Sequence, residues 1–407
     1  VPQLYEAFFS ADYDEFKRIY ESCERMTKIR KKKVSAKTLF SNIMTERMNT
    51  GRIYIMNVDN TNNQGPYKPE LAPIKMTNLC VEVVQPTVAM GSENSLISLC
   101  TLSAINWGKI NDPKDFEKVC EYAVRALDNL ITYQDYPMKE GQRFTQYYRS
   151  LGVGITNLAY WLAKNGLTYE GSQETYDTLD EYMEHMMYYL IKASIQLAKE
   201  RGKPEGVVNT KWNDGIFPFE VRNKNVDAII TRSPSLDWES LREELKEHGI
   251  RNCNLSALMP CESSSLVTGS TNGIEPPRAY APFKKSKDVL SGQIIPGYPR
   301  LKNKYQLLWD LESTKGYIDI CAVIQKWIDQ SISANTSYNP KNYTDGKIPM
   351  SVLLKDLIYA YKMGLKTLYY MNTNDQAGEE DSGLTQSSGY VNISKDGAGC
   401  DSGACAI

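Results

Sequence analysis

The sequence predicts an α/β fold, either a barrel or an open sheet, and three observations carry that prediction. Short apolar runs at 96–102, 254–260 and 365–370 read as strands. Between such runs lie stretches with helical apolar spacing, for example Phe116, Val119, Cys120, Ala123, Leu127 and Leu130. Near the carboxy terminus, a helix expected over 351–363 stops at Gly364 and leads straight into a strand, the alternation that α/β proteins show.

At 407 residues and 42% hydrophobic, the chain can fill two domains or one large barrel. Its 47 basic and 49 acidic residues nearly cancel, so no long-range field selects nucleic acid or an anionic membrane as partner. No apolar run is long enough to span a bilayer and no signal peptide is visible, which makes a cytoplasmic protein the expectation. Nine cysteines, odd in number and mostly well separated, suit a reducing compartment. His185 and His248 are the only histidines, so a His-based triad or a multi-histidine metal site has almost nothing to work with. Any catalysis falls to cysteines and carboxylates.

In chain order, Phe16, Ile19, Tyr20 and Cys23 recur at helical spacing behind Asp12 and Asp14. A second helix is expected from Ser35, a good N-cap, to a stop at Gly51. The basic run 28–33 between them has no interleaved aromatics and reads as a solvated connection. A strand is expected over 52–58, and a polar segment then delivers the chain to residues 77–84. Extended backbone there places Asn78, Cys80 and Glu82 on one side, about 7 Å apart, with Leu79, Val81 and Val83 on the other. An amide, a thiol and a carboxylate so arranged can contact one small substrate. The alternative is a half-buried strand whose thiol only packs.

The strand expected at 96–102 would turn Cys100 toward the same interior as Cys80. Asp112-Pro113 is a helix start, and Cys120 falls on the apolar face of that helix. The Gly-x-Gly of 152–154 lacks the rest of a dinucleotide fingerprint and reads as a packing device. A long helix over 174–201 ends at Gly202 and carries His185 as a structural residue. The strand at 254–260 runs into Cys261, Glu262, Ser263 and Ser264 at a helix start. That arrangement offers backbone N–H groups to an anion, or is an ordinary serine cap. Tyr369 and Tyr370, adjacent on a strand, would point to opposite faces. From residue 374 the apolar periodicity disappears, dividing the chain into a folded part, 1–373, and a flexible tail, 374–407. The tail ends in Cys400 and Cys405. These could bind a metal only with ligands from elsewhere, whereas a tethered dithiol suits a redox shuttle. About 30 linker residues give it a reach of roughly 30 Å.

Taken together, Asn78-x-Cys80-x-Glu82, the segment around Cys100, Met259-Pro260-Cys261-Glu262-Ser263-Ser264, Leu368-Tyr369-Tyr370-Met371-Asn372-Thr373 and the Cys400/Cys405 tail resemble the large subunit of class I ribonucleotide reductase. The resemblance runs in order over essentially the whole chain. It implies the second half of a ten-stranded α/β barrel, with Cys80 on a finger loop inside it. The implied activity is reduction of ribonucleoside diphosphates by thiyl-radical chemistry. Cys80 would take the 3′ hydrogen of the ribose, Glu82 would serve as general base on the 3′ hydroxyl, and Asn78 would hold the ribose. Cys100 matches one of the two reducing thiols, and Cys261, Glu262, Ser263 and Ser264 match the diphosphate-binding segment. Tyr369 and Tyr370 would relay the radical. Cys400 and Cys405 would re-reduce the site and be recharged by thioredoxin or glutaredoxin.

No cofactor is implied in this chain; a metal-tyrosyl radical is implied in a separate small subunit, whose tail would dock near the helix of 351–363. Position 261 is Cys where many members have Ser. The family's amino-terminal half, with the partner cysteine of Cys100 and the regulatory nucleotide domain, has no match here, so a complementary amino-terminal chain is expected. Two rival readings are a non-catalytic protein that binds the small subunit and a stand-alone thiol-disulfide oxidoreductase using Cys400 and Cys405.

Overall fold

In the computed structural model, the described residues are 1–374 except 11, 282, 287 and 288. The tail cysteines Cys400 and Cys405 therefore lie outside the described residues. The organising feature is a series of extended segments that lie side by side in chain order. Strand Leu102–Asn106 pairs in parallel with Gly152–Thr156. Val153 bridges in parallel to Ser256, and Leu258 bridges in parallel to Ile332. Thr336–Tyr338 pairs in parallel with Met371–Thr373, and the Tyr369 N–H donates to the Ala334 carbonyl at 2.7 Å. Parallel neighbours need crossovers, and helices supply them, which gives the α/β architecture.

The glycines of the 152–154 run allow this close stacking. A Cβ on Gly152 would sit 2.4 Å from Leu102 Cδ2, and one on Gly154 would sit 2.7 Å from the Ala257 carbonyl oxygen. Their role is packing. The preceding strand pairs with them over 102–106, and Cys100, two residues before it, is exposed. The strand expected at 96–102 is thus displaced toward the carboxy terminus. The strand expected at 52–58 shrinks to Ile55–Met56, because Asn57 ends it and the helix Val58–Asn63 begins at once.

The helices follow their caps. Ser35 accepts from Thr38 N–H, and Gly51 closes the helix Ala36–Thr50 at a φ of 69°. Asp112 and Asp115 cap a short turn that leads into Phe116–Tyr133. The buried stripe of that helix is Phe116, Cys120, Val124, Leu127 and Ile131. Leu130, expected on the stripe, is exposed, since Ile131 occupies the inward position of that turn. The long helix spans Gln173–Arg201 and packs against Phe116–Tyr133 and Lys315–Trp327. His185 is buried and its Nδ1 lies 2.9 Å from the Glu181 carbonyl, a structural placement.

That helix also buries charge. Asp180 is fully buried and accepts from Lys326 Nζ at 2.7 Å, Trp327 Nε1 at 2.7 Å and Arg232 Nη1 at 2.6 Å. Removing one partner of a buried network leaves the others desolvated and unpaired. Asp180→Ala is therefore expected to destabilise the fold by about 3–5 kcal/mol, measured by urea or thermal unfolding. A loss below about 1 kcal/mol would show that the network contributes little.

Candidate active site

Residues 77–84 form a turn instead of a strand. Thr77 and Val84 make an isolated antiparallel bridge, and the chain reverses between them. The Val81 N–H donates to the Asn78 carbonyl at 3.2 Å, and Val83 N–H donates to Asn78 Oδ1 at 3.0 Å. Val81 adopts a φ of 62°, an uncommon conformation for a β-branched residue that costs on the order of 1–3 kcal/mol. Surrounding contacts hold it there: Val81 is buried, and its carbonyl accepts from Thr367 Oγ1 at 3.2 Å. Reversal also splits the expected apolar side, since Leu79 is exposed while Val81 and Val83 are buried.

The polar triplet is nevertheless gathered, through the turn. Asn78 Nδ2 donates to Glu82 Oε1 at 2.9 Å and lies 3.5 Å from Cys100 Sγ. Glu82 is 2% exposed. Burial pushes its carboxyl above the usual carboxylate range, against the hydrogen bonds from its own backbone N–H, Asn78 and Ser333. Cys100 is an exposed residue, yet its thiol lies among enough protein atoms that desolvation, followed by the Glu82 charge, pushes it up to about 11. Cys80, partly exposed, also acts on it electrostatically.

A segment absent from the sequence reading holds this turn in place. Ser331 N–H donates to the Glu82 carbonyl at 3.0 Å. Ser333 Oγ lies 2.6 Å from the Cys80 carbonyl oxygen and 3.1 Å from Glu82 Oε2. The same segment receives Tyr369 N–H at Ala334, and its Thr336 N–H donates to the Tyr370 carbonyl at 3.0 Å. Fully buried Lys366 fixes it from behind, with Nζ donating to the carbonyls of Asp329 at 3.0 Å and Gln330 at 2.7 Å. The signal in the sequence was the run Ser331-Ile332-Ser333-Ala334, short and hydroxyl-bearing, directly after an apolar helix.

The Tyr369 and Tyr370 rings are in tilted contact, with centroids 3.9 Å apart at 47°. The expectation of opposite faces fails because the strand is interrupted there. Thr367–Leu368 pairs antiparallel with Ile55–Met56, whereas Met371–Thr373 pairs with Thr336–Tyr338. Between the two, the buried Arg47 guanidinium donates to the carbonyls of both Tyr369, at 2.8 Å, and Tyr370, at 3.4 Å, and also to that of Ile53. Successive carbonyls of a regular strand point opposite ways, so one cation that reaches both marks a broken pleat. Tyr54, a third ring the sequence reading missed, lies with its centroid 4.7 Å from that of Tyr369 and 5.5 Å from that of Tyr370.

Tyr369 Oη lies 3.7 Å from Cys80 Sγ as a hydrogen-bond donor. Burial, then its bonds to Tyr370 and Cys80, push the Tyr369 phenol far above its usual range. Two phenol rings in contact and a thiol thus form one contiguous line, ending on the turn that carries the buried Glu82. Such a line can carry an electron and a proton stepwise away from sulfur, leaving a thiyl radical there.

The Cys261 segment divides. Cys261 is buried, its N–H is taken by Asn272 Oδ1 at 2.8 Å, and its thiol faces the Ile155 and Met259 carbonyls. Burial pushes that thiol up to about 11, with Glu82 close enough to contribute. Glu262, Ser263 and Ser264 begin the helix Glu262–Thr268 and are exposed. The cap is Cys261 without a side-chain bond, so the ordinary serine cap is not formed.

Residues 2–371 match the family described as ribonucleotide reductase, barrel domain. The chain is 46% identical, over all its length and 52% of the relative's, to the ribonucleoside-diphosphate reductase subunit alpha of Haemophilus influenzae. It is 47% identical to the ribonucleoside-diphosphate reductase 1 subunit alpha of Escherichia coli, again over its whole length and 53% of the relative's. The subunit alpha of bacteriophage T4 is 44% identical over 93% of this chain and 50% of its own. The chain spans about half the length of the curated relatives it matches. On sequence match and on a mixed α/β fold of parallel neighbours, this chain belongs to the ribonucleotide reductase barrel domain family.

Proposed function

We propose that this chain carries the radical-accepting side of a ribonucleoside-diphosphate reductase large subunit. The observation that supports the reading most is the line Tyr370, Tyr369, Cys80, with Asn78 and Glu82 at its end. A radical delivered by a metal-tyrosyl small subunit would pass along the two tyrosines and oxidise the Cys80 thiol. The Cys80 thiyl takes the 3′ hydrogen of the ribose while Glu82 accepts the 3′ hydroxyl proton and Asn78 orients the sugar. The 2′ hydroxyl then leaves as water, and two electrons with their protons come from a thiol pair that ends as a disulfide. Cys100 supplies one of those thiols. The second belongs to the amino-terminal part of the large subunit, which also completes the ten-stranded barrel of which this chain forms the later half and whose finger loop is the 77–84 turn.

The Glu262–Ser264 turn meets the substrate diphosphate with the N–H groups of a helix start. With its own N–H occupied by Asn272, Cys261 contributes packing beneath that turn and not a ligand. The helix Met350–Lys362, with Ile358 and Tyr361 exposed, receives the small-subunit tail. Cys400 and Cys405 reduce the active-site disulfide and are themselves reduced by thioredoxin or glutaredoxin.

The test is reconstitution. This chain, an amino-terminal large-subunit part and a radical-bearing small subunit together should form 2′-deoxynucleotides from ribonucleoside diphosphates. A complete mixture whose small-subunit radical is verified by paramagnetic resonance, but which makes none, overturns the reading. Within the active assembly, Glu82→Gln is expected to lower kcat by about 10²–10⁴. Because burial raises the Glu82 carboxyl and the base works ionised, activity should fall on the acid side at a pH above that of an ordinary carboxylate. An acid limb at an ordinary carboxylate pH would contradict this assignment.

A further inference from the structure

We propose that Ser333 is a positioning residue that couples the protonation of Glu82 to the peptide carrying Cys80. The inference rests on the function proposed above and adds a residue to it. Ser333 is 7% exposed and is held by its own N–H, which donates to the Leu258 carbonyl at 2.9 Å. Its hydroxyl lies between two oxygens, the Cys80 carbonyl at 2.6 Å and Glu82 Oε2 at 3.1 Å.

A serine hydroxyl has one proton, and a peptide carbonyl can only accept. When Glu82 is ionised, both neighbours of Ser333 Oγ are acceptors, and its single proton can serve only one of them. A hydrogen bond to a charged group is about twice as strong as one to a neutral group, so the carboxylate draws the proton. The Cys80 carbonyl then loses this donor. When Glu82 is protonated, its O–H can donate to Ser333 Oγ, and the Ser333 proton is released to the Cys80 carbonyl. Both contacts are then satisfied in one direction, Glu82 to Ser333 to Cys80. The hydroxyl lies within hydrogen-bond distance of both oxygens, so it can serve either one.

Proton arrival at Glu82 therefore tightens the hold on the Cys80 peptide, and proton departure relaxes it. In the proposed reaction, Glu82 takes the 3′ hydroxyl proton at the stage when the Cys80 sulfur must stay close to the sugar. The titratable groups around this contact are the Cys80, Cys100 and Cys261 thiols and the Tyr369 phenol, whose hydroxyl lies 3.7 Å from Cys80 Sγ. Asn78 holds the other carboxyl oxygen of Glu82, and Ser333 joins the carboxyl to the Cys80 carbonyl.

Ser333→Ala and Ser333→Thr, each in the full assembly, test the proposal. Ser333→Ala should assemble and melt as the wild type does, lower kcat roughly tenfold with KM little changed, and move the acid limb of the kcat profile to higher pH. The direction follows because the hydroxyl stabilises the carboxylate; Ser333→Thr, which keeps the hydroxyl, should restore both values. Independently of turnover, infrared difference spectra against Glu82→Gln should place the Glu82 titration midpoint of Ser333→Ala about half a pH unit or more above wild type. With cysteine carbonyls isotopically labelled, a band that follows this midpoint in wild type should cease to follow it in Ser333→Ala. Coincident midpoints, or a threonine variant that behaves as the alanine one, overturn the coupling. Failure of wild-type turnover would count against the proposed function only, because the infrared midpoints are read without it.

Discussion

Cys80→Ser in the reconstituted assembly is expected to abolish deoxynucleotide formation while leaving the fold and the assembly intact. Serine is nearly isosteric with cysteine, and Cys80 is only partly buried, so no large cavity or unpaired buried group results. The change in unfolding free energy should stay within about 0.5–1 kcal/mol. The chemistry is another matter. An O–H bond is much stronger than an S–H bond, so a tyrosyl radical cannot oxidise the serine hydroxyl, and a 3′ hydrogen cannot be exchanged near balance. Each ~1.4 kcal/mol added to a barrier costs about tenfold, and a deficit of several such steps takes the rate to background, a loss beyond about 10⁴-fold. Turnover assayed over that range, beside a melting curve, decides it. Activity near that of the wild type would remove Cys80 from the radical step.

Tyr369→Phe should be as severe, for a different reason. Phenylalanine keeps the ring that packs at a tilt against Tyr370 and Tyr54, so packing and stability should change little. What disappears is the hydroxyl that lies 3.7 Å from Cys80 Sγ. Tyr369 has its phenol pushed far up by burial and by its neighbours, so it carries its proton at every working pH. Its oxidation must release an electron and a proton, and phenylalanine has no such proton to give. The expected result is loss of turnover by more than about 10³-fold, with the small-subunit radical left undepleted when substrate is added. Paramagnetic resonance during single-turnover mixing reads both. Continued turnover in Tyr369→Phe would mean that the radical reaches Cys80 by another route.

Local signals in the sequence located the helices, and long-range ones misplaced parts of the strands. Ser35, Gly51, Asp112 and Gly202 mark helix ends because capping is a property of a few neighbouring residues. The grouping of Asn78 with Glu82 was legible from their types and spacing, although the turn that produces it was not. Nothing in Val81 announces a positive φ; that conformation depends on Thr367, nearly 290 residues away in sequence, and on a buried site for its side chain. The tyrosine pair failed in the same way. Alternation is the rule for a strand, and only the remote Arg47 cation shows that the pleat breaks there. Ser333 was missed for a third reason: the short hydroxyl-bearing run at 331–334 is visible, but the role of one hydroxyl in it is not until its two acceptors are in place.

The antiparallel pairing of Ile55 with Leu368 has a consequence for how the chain is made. A ribosome adds about 5–20 residues per second. Some 313 residues separate the two partners, so the earlier one waits roughly 16–60 s for the later one to be synthesised. During that interval Arg47 is without two of its three carbonyl acceptors, and the carbonyls of 361 and 365 that later receive the Asn57 and Asn60 amides do not yet exist. The tyrosine segment is consequently among the last pieces of the fold to form, and a nascent chain halted before residue 365 would present an unfinished edge to any quality-control machinery that binds exposed strands.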